Sequence, residues 1–352
     1  MFSIKDMKKF DVLIVGGGPA GSSCAYRLAK AGKRVLVVDI KRSIGKPVQC
    51  AEFVPIQLYH QFKEFFPQEA IAQRVQNMVH FTPWGEVVSM WSEGFVLNRE
   101  VFDAQIAKLA QEQGAVYMLR TQFLGFEDGF AWLEEIDTRK KFPVKADFVV
   151  GADGPRSKVA RLTGEKTQTF LTTAQITMKL TKELEDLLIY FRDYIPGGYG
   201  WVFPKGRLAN VGVGVDPDYG VNVMESLKRF VEEVVAEGVV EKQVIKRTGG
   251  WIPADGLLPL VRKRVLLVGD AGGFCHPITG GGIANAVISG DMAGKALCED
   301  SPEEFEEEAQ EVFGSTLWRA SEKRKKHMKR WDNLKEIIPK TWIAFEEYWR
   351  II

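Results

Sequence analysis

Short apolar runs that end in glycine-rich or acidic turns recur along the chain. Runs of this kind are rich in β-branched residues and are typical of buried strands in a parallel sheet. They are residues 11–15 (DVLIV), 33–39 (KRVLVVD), 147–150 (DFVV) and 264–268 (RVLLV). Between the first two runs, residues 22–31 carry a helical pattern that ends at Gly32. This part of the sequence therefore predicts a βαβ unit with parallel strands.

The middle of the chain has a different pattern, in which alternating and aromatic runs replace the buried ones. The strand-like runs are residues 172–180, 187–191, 201–203 and 208–215. One amphipathic helix is predicted among them, over residues 223–235. A shorter stretch at 75–95, which holds Trp84 and Trp91, adds strands to the same sheet in this interpretation. The pattern indicates a second, mostly antiparallel domain inserted into the first.

The glycines after the first strand indicate a dinucleotide site. Gly16, Gly18 and Gly21 form a GxGxxG motif between a predicted strand and a predicted helix. The three glycines allow a tight turn, close approach to a pyrophosphate and close packing of helix on strand. Asp39 ends the second strand, where a carboxylate accepts hydrogen bonds from a ribose 2′-hydroxyl and disfavours the 2′-phosphate of NADP. This motif alone does not separate FAD from NAD.

The predicted fold class is therefore α/β, or α+β over the whole chain. A discontinuous Rossmann-like domain is predicted to comprise residues 1–75, 95–166 and 255–300. The inserted antiparallel cap domain comprises residues 76–94 and 167–254. A helical segment, 301–352, follows at the C-terminal end, where the sequence is acidic, then basic, then rich in aromatic residues.

Composition contributes mainly by exclusion. The chain has 47 Lys+Arg against 46 Asp+Glu, a net charge of +1, so no nucleic-acid partner is predicted. The four cysteines, Cys24, Cys50, Cys275 and Cys298, include no CxxC pair, and no metal site is predicted. No signal peptide or membrane-spanning pattern is recognised, which leads us to expect a cytoplasmic enzyme.

Two further motifs favour FAD over NAD. Gly269 and Asp270 follow the last buried run, and a turn with Gly281, Gly282 and Ile283 opens the next helix. This arrangement resembles the ribityl-binding segment of flavoproteins, in which the aspartate holds a ribityl hydroxyl and the helix N-terminus faces the flavin. Residues 151–160 (GADGPRSKVA) resemble the DG motif of hydroxylase-like flavoproteins, and Arg99 resembles the flavin-contacting arginine of that branch.

The middle domain carries the most specific resemblance. The segment YGWVFP, which holds Tyr199, Trp201 and Phe203, precedes Gly212 and Gly214 in the pattern of the geranylgeranyl reductase family. The resemblance extends over roughly residues 11–297 and includes the KPxxC segment that ends at Cys50. It implies a hydroxylase-like FAD domain with a β-sheet cap, and an enzyme that saturates isolated double bonds of polyprenyl lipids.

The resemblance and the glycine motif together define the candidate residues. The expected cofactor contacts are Gly16, Gly18, Ala20, Gly21, Asp39, Cys50, Ala51, Arg99, Asp270, Gly281, Gly282 and Ile283. The expected substrate contacts are Tyr199, Trp201, Phe203, Gly212 and Gly214, although the three aromatic residues are equally well explained as cap core. The resemblance implies that Cys50 is the proton donor or a redox partner, and we expect Cys275 to approach it as a disulfide or relay partner. His276, which has no readable partner, is not favoured as an acid.

Several alternatives remain open from the sequence. A flavin monooxygenase, either a hydroxylase or an epoxidase, shares the nucleotide motifs, and a non-catalytic isoprenoid-binding flavoprotein is a further alternative. A halogenase is disfavoured because no WxWxIP segment is present. The electron donor is external in this interpretation: NAD(P)H, ferredoxin or another low-potential carrier. The basic, tryptophan-containing tail indicates either peripheral membrane contact or a solvated helix packed on the preceding acidic stretch.

Overall fold

Residues 9–165 and 168–350 are described by a computed structural model, and they form two β-sheets with flanking helices. The strands are β1 (Lys9–Val15), β2 (Val35–Asp39), β3 (Phe53–Pro55), β4 (Ile71–Phe81), β5 (Val87–Leu97), β6 (Val116–Leu119), β7 (Thr121–Glu127), β8 (Phe130–Glu135), β9 (Lys141–Gly151), β10 (Phe170–Leu180), β11 (Leu187–Tyr190), β12 (Tyr199–Lys205), β13 (Leu208–Val215), β14 (Val240–Pro253), β15 (Val261–Arg262) and β16 (Val265–Leu267). The helices are α1 (Pro19–Lys30), α2 (Ile56–Gln61), α3 (Arg99–Glu112), α4 (Lys158–Leu162), α5 (Val223–Ala236), α6 (Ile283–Cys298), α7 (Pro302–Ala309), α8 (Ser315–His327), α9 (Leu334–Thr341) and α10 (Glu346–Trp349). The outer limits of the predicted domains at residues 1–8, 166–167 and 351–352 lie outside the described residues.

The first sheet is built from the buried runs that the sequence predicts. Its strands lie in the order β15-β16-β9-β1-β2-β6, and the β7–β8 hairpin joins it through β9. Strands β16, β9, β1, β2 and β6 run parallel to one another, whereas β15 and β8 pair antiparallel with β16 and β9. Every residue of β2 is buried. The carboxyl ends of parallel strands meet at one edge of the sheet, which is where such folds bind ligands. The α/β prediction is confirmed.

The second sheet is the cap, with strands in the order β14-β10-β13-β12-β11-β4-β5-β3. Its neighbours are antiparallel except for β11 and β4. The β4–β5 hairpin begins at Ile71 and ends at Leu97, so it is longer on both sides than the predicted segment 76–94. Two register shifts in this hairpin, at 71–73 and 75–77, break the period of two by which alternation is recognised.

Helices α1 and α6 cross closely over the first sheet because small residues line their contact. A Cβ atom at Gly290 would lie 2.1 Å from the carbonyl oxygen of Ala20, and one at Gly21 would lie 1.9 Å from that of Gly16. Neither position has room for a side chain. The glycines therefore fix how the N-terminus of α1 sits on the carboxyl end of β1.

The C-terminal segment connects the two sheets. A π-helical turn, Gln310–Gly314, separates α7 from α8, and Phe305 of α7 stacks on Phe274 at 6.2 Å between ring centroids. Further along, Trp342 and Tyr348 pack into the apolar cluster under the cap and are 2% and 1% exposed. The segment is helical, as predicted.

The basic run of the tail packs against the cap domain. Arg324, within the basic run, donates to the Gly197 carbonyl at 3.0 Å and to Asp216 at 2.6 Å, so its acidic partner belongs to the cap and not to the preceding acidic stretch. Trp342 and Tyr348 are buried and unavailable as membrane anchors, because the cap offers them an apolar surface. Among the residues with assigned positions, no helix combines the length and apolar character needed to cross a bilayer.

Candidate active site

One cavity of about 880 Å³ runs from the carboxyl edge of the first sheet to the inner face of the cap. The loops after β1, β2, β9 and β16 form one end, and strands β10, β11, β12 and β14 form the other. The loop that carries Cys50 lies along it as well. Residues that are far apart in sequence therefore share one continuous space.

The glycine loop after β1 forms one end of this cavity. Gly16, with φ +106°, turns the chain, and a Cβ atom at Gly18 would meet nothing within 4 Å. Gly16, Gly18 and Ala20 line the cavity, whereas Gly21 lies against the Gly16 carbonyl. Asp39 also lines it and accepts hydrogen bonds from the Gly17 and Lys41 amides, each at 2.8 Å. Its carboxylate thus holds the glycine loop in place.

The segment after β16 supplies a second polar group to the same cavity. Among the described residues, the Asp270 carboxylate has no hydrogen-bond donor, and burial raises its pKa to about 6. Gly281, Gly282 and Ile283 line the cavity beside it at the start of α6. An acceptor without a protein donor on the wall of a cavity fits a ligand hydroxyl.

Arg99 contributes a positive charge to the wall of the cavity. Its guanidinium forms a bidentate pair with Asp103, at 2.7 and 2.9 Å, and both side chains are largely buried. The positive charge of Arg99 opposes the burial effects that raise the pKa values of Asp270 and Cys50. Arg99 is therefore an internal ion-pair residue that also faces the cavity.

The residues present fit a flavin adenine dinucleotide. An open glycine cradle, a carboxylate at the end of β2 and an acceptor lacking a protein donor at Asp270 all face one space. The chemistry of these groups matches the pyrophosphate, the ribose and the hydroxylated linker that FAD carries.

Cys50 and Cys275 both line this cavity and both are free thiols. Burial raises the pKa of Cys50 and raises that of Cys275 well above its ordinary value. A negative charge on Cys50 would raise the pKa of Cys275 further, but the structure contains no disulfide between them. Ala51 lies next to Cys50 on the cavity wall. The structure therefore places the two cysteines on the wall of one cavity, but it does not join them by the expected disulfide.

The aromatic residues of YGWVFP occupy the cap end. Tyr199, Trp201 and Phe203 all line the cavity and all belong to the apolar cluster beneath the cap. The same three side chains are therefore both part of the cap core and part of the cavity wall. Tyr199 donates to the Thr279 carbonyl in the loop that precedes α6, which ties the cap to the first domain.

Gly212 and Gly214 are placed differently from the expectation. Neither is among the described residues that line the cavity. A Cβ atom at Gly212 would lie 2.3 Å from Cζ2 of Trp201, and one at Gly214 would lie 3.8 Å from Cζ3. These glycines sit behind the Trp201 ring because β13 pairs with β12, and their lack of a side chain leaves room for the indole.

Two features of the site were missed from the sequence. Gln175 of β10 accepts from the Trp201 indole N–H at 2.9 Å and donates to the Cys50 carbonyl at 3.0 Å, so it joins the aromatic wall to the cysteine loop. Trp342 and Ile343, from the C-terminal segment, close the cap end of the cavity. Gln175 lies in a strand whose alternation of apolar and polar residues is ordinary, so nothing in the sequence distinguishes it. The sequence of the tail, in turn, does not indicate which surface of the protein the tail packs against.

His276 also lines the cavity, although the sequence analysis did not favour it. Its Nδ1 accepts from the Ile278 and Thr279 amides at 3.3 and 3.1 Å, which leaves the ring proton on Nε2. Burial lowers its pKa to about 4, so the ring is neutral at physiological pH. A neutral imidazole is a hydrogen-bond donor here and not a strong acid.

Comparison with known proteins agrees with this geometry. A family model described as the geranylgeranyl reductase catalytic domain matches residues 170–252, and one for NAD(P)-binding Rossmann-like domains matches residues 14–61. A digeranylgeranylglycerophospholipid reductase from Methanocella arvoryzae is 36% identical over 308 residues, which cover 82% of this chain and 77% of the relative. The reductase of that name from Methanopyrus kandleri, numbered 2, is 33% identical and covers 88% of this chain and 84% of its own.

Solved structures place the fold in the same group. The crystal structure of a geranylgeranyl bacteriochlorophyll reductase-like protein from Thermoplasma acidophilum superimposes with a TM-score of 0.86, covers 97% of this chain and 92% of its own, and is 29% identical. A flavin-dependent brominase superimposes at 0.75 over 93% of this chain and 90% of its own, but with 18% identity it shows the fold alone. From these similarities we conclude that the chain belongs to the geranylgeranyl reductase family.

Proposed function

We propose that the protein is an FAD-dependent reductase that saturates isolated carbon–carbon double bonds in a geranylgeranyl or other polyprenyl lipid. The observation that carries this proposal is the single cavity that joins a dinucleotide cradle to an aromatic wall and that the half-buried Cys50 also lines. Membership in a family whose curated relatives are named digeranylgeranylglycerophospholipid reductases supports the choice of substrate class.

The cap end of the cavity suits a substrate with little polar surface. An isoprenoid chain offers methyl and methylene groups, which gain most from aromatic and aliphatic walls that exclude water. Tyr199, Trp201 and Phe203 supply such a wall from β12, and Trp342 closes it from the tail. The Tyr199 and Trp342 rings meet edge to face with centroids 4.8 Å apart. These rigid side chains orient a flexible chain at low entropic cost.

The reaction adds one hydride and one proton across an unactivated double bond. The flavin, when bound, supplies the hydride. Cys50 holds a proton on its Sγ at neutral pH, because burial raises its pKa, and this sulfur lies on the same cavity. Its carbonyl is held by Gln175, and the wall around it excludes water that would quench a cationic carbon. Cys50 is therefore the proton donor in our proposal.

Two further parts of the proposal concern partners. We propose that electrons come from an external carrier, either NAD(P)H, ferredoxin or another low-potential donor. Peripheral membrane contact would rest on Trp318 and Trp349 of the C-terminal segment, which are 61% and 60% exposed, with Arg319 over the Trp349 ring. Co-sedimentation with anionic vesicles tests this contact, and an equal yield from the Trp318→Ser/Trp349→Ser protein would contradict it.

The reductase proposal is tested by following the flavin colour without oxygen. Protein purified with its flavin is reduced chemically under nitrogen and then mixed with a geranylgeranyl lipid or with its fully saturated counterpart. We expect the flavin to be reoxidised by the unsaturated lipid only. A flavin that stays reduced with both lipids under nitrogen would contradict the proposal, and a lipid that gains an oxygen atom in air would instead support a monooxygenase.

A further inference from the structure

Glu52, two residues after Cys50, has an unusual backbone and an unusually complete set of partners. Its φ is +75°, in the left-handed region that non-glycine residues seldom adopt. In this conformation its amide N–H donates to the Cys50 sulfur at 3.2 Å. A backbone held in a sparsely populated region persists only where its surroundings determine it.

The side chain of Glu52 provides that constraint. It is 4% exposed, and its Oε2 accepts from Lys205 Nζ at 2.7 Å and from Asn210 Nδ2 at 2.9 Å. Its Oε1 accepts from the Arg99 amide at 3.0 Å, at the start of α3. Asn210 also donates to the Ala51 carbonyl at 3.3 Å. Three separate elements thus hold one carboxylate.

From this arrangement we infer that Glu52 is a positioning residue for Cys50: its buried side chain fixes the strained backbone that aims the Glu52 amide at the cysteine sulfur. An N–H group donated to sulfur favours the thiolate, so it sets how readily the sulfur releases its proton. Lys205 ends β12, the strand of the aromatic wall, and Asn210 lies on β13. The cap therefore controls the geometry of the cysteine through Glu52. The inference rests on the proposed role of Cys50.

Charge and position predict opposite results when Glu52 is changed to glutamine. The negative charge of Glu52 raises the pKa of Cys50, whereas its amide hydrogen bond lowers it. Glu52→Gln removes the charge and weakens the hold of Lys205. If Glu52 acted only through its charge, the pKa of Cys50 would fall in this variant. If Glu52 also positions the amide, the pKa rises, because the lost hydrogen bond has the larger effect of the two.

The other groups that act on the Cys50 charge remain in place in that variant. They are Arg99 and Asp103 of α3, Cys275 of the loop before α6, and Tyr199 of β12. Asn210→Leu provides a second variant that alters no charge at all, yet removes the hydrogen bonds to Glu52 and to Ala51. Tyr190→Phe is the matched control, since it removes a cap hydrogen bond to Glu237 at a residue that is not among the described residues lining the cavity.

The experiment is the alkylation of Cys50 by iodoacetamide across pH, measured by mass spectrometry of the peptide that contains it in the flavin-loaded protein. We expect the midpoint to rise by about one pKa unit in Glu52→Gln and Asn210→Leu, which leaves about tenfold less thiolate at a fixed lower pH. No shift is expected in Tyr190→Phe. A lowered or unchanged midpoint in Glu52→Gln, or an unchanged one in Asn210→Leu, would overturn the inference. The thiol measurement does not depend on lipid reduction, so the proposed function can fail while this result stands.

Discussion

Among single residues, Cys50 has the clearest dependence on pH. Burial raises the pKa of its thiol, so the sulfur keeps its proton through neutral pH and loses it only in more alkaline solution. Because a donor must hold its proton, we expect the rate of lipid saturation to fall as the pH rises through this raised pKa. Cys50→Ser should lower the rate by about 10²–10⁴-fold. Anaerobic rates measured at a series of pH values check both expectations.

Cys298→Ser is the control for this experiment. Cys298 is half-buried in α6 and is not among the described residues that line the cavity. The Cys298→Ser protein should saturate the lipid at the same rate as the unchanged protein, and both serine variants should retain their flavin. A Cys50→Ser protein of full activity would remove the cysteine from the mechanism.

Asp270 is expected to lower the folding stability of the flavin-free protein and to strengthen the binding of flavin. Its folded-state pKa, about 6, lies above the ordinary value of 3.8, so it favours the folded state in acid and this contribution is lost as the pH rises through about 6. For the flavin-free protein, Asp270→Asn should therefore raise the free energy of unfolding by about 1–3 kcal/mol near pH 8 and by little near pH 4. It should also weaken flavin binding, because the amide is a poorer acceptor.

Thermal unfolding of flavin-free protein at the two pH values and flavin titration measure these two effects. Asp128→Asn, in the exposed turn after β7, should change neither quantity, since asparagine tolerates the φ of +50° found there. A flavin affinity unaltered in Asp270→Asn would show that this carboxylate does not contact the cofactor.

Among the secondary-structure elements, α1 and α6 allow the effects of folding and of flavin binding to be tested separately, by substitutions at Gly290 and Gly18. A methyl group at Gly290 would meet the Ala20 carbonyl at 2.1 Å, whereas one at Gly18 would meet no protein atom. Gly290→Ala should lower the free energy of unfolding by about 1–3 kcal/mol through overpacking. Gly18→Ala should leave flavin-free protein equally stable, since its φ of −72° suits alanine, but should block the pyrophosphate.

Denaturant unfolding without flavin and binding of added FAD distinguish the two variants. The opposite pattern, with Gly18→Ala unstable and Gly290→Ala unaffected, would mean that the cradle is part of the core. The two glycines serve as controls for each other, because each substitution adds the same methyl group.

The helices of the C-terminal segment form a wall of the site, and two tryptophans within it test this role. Trp342 is 2% exposed and closes the cavity, whereas Trp349 is 60% exposed. We expect Trp342→Ala to lower the free energy of unfolding by about 3–5 kcal/mol, and Trp349→Ala to change it by less than about 0.5 kcal/mol. Urea unfolding measures both values; equal losses would place the two side chains in similar surroundings.

Local sequence predicted most elements and the nucleotide end of the site. The buried runs, the glycines and Asp39 carry their signal within a few residues, so β1, α1 and β2 could be placed from pattern alone. The β4–β5 hairpin was underestimated because its register shifts break the alternation. Gln175 could not be identified, since its role depends on Trp201 and Cys50, both of which are distant in sequence.

For the molecule as a whole, the site is a product of three segments and belongs to no single one. The first sheet supplies the nucleotide cradle, the cap supplies the aromatic wall, and the tail closes the space between them. Hydrogen bonds from Gln175, Asn210 and Tyr199 hold the cap against the loops of the first domain. This arrangement places an apolar cavity beside a polar nucleotide cradle. Reduction of a lipid double bond requires both of these surroundings next to each other.

The mass of the lipid product tests the central claim most directly. Flavin-loaded protein, supplied with a chemical reductant and a geranylgeranyl lipid under nitrogen, should yield a lipid heavier by two hydrogen atoms for each double bond that is lost. A product that gains an oxygen atom, formed only in air, or a lipid recovered unchanged beside fully reduced flavin, would contradict the account.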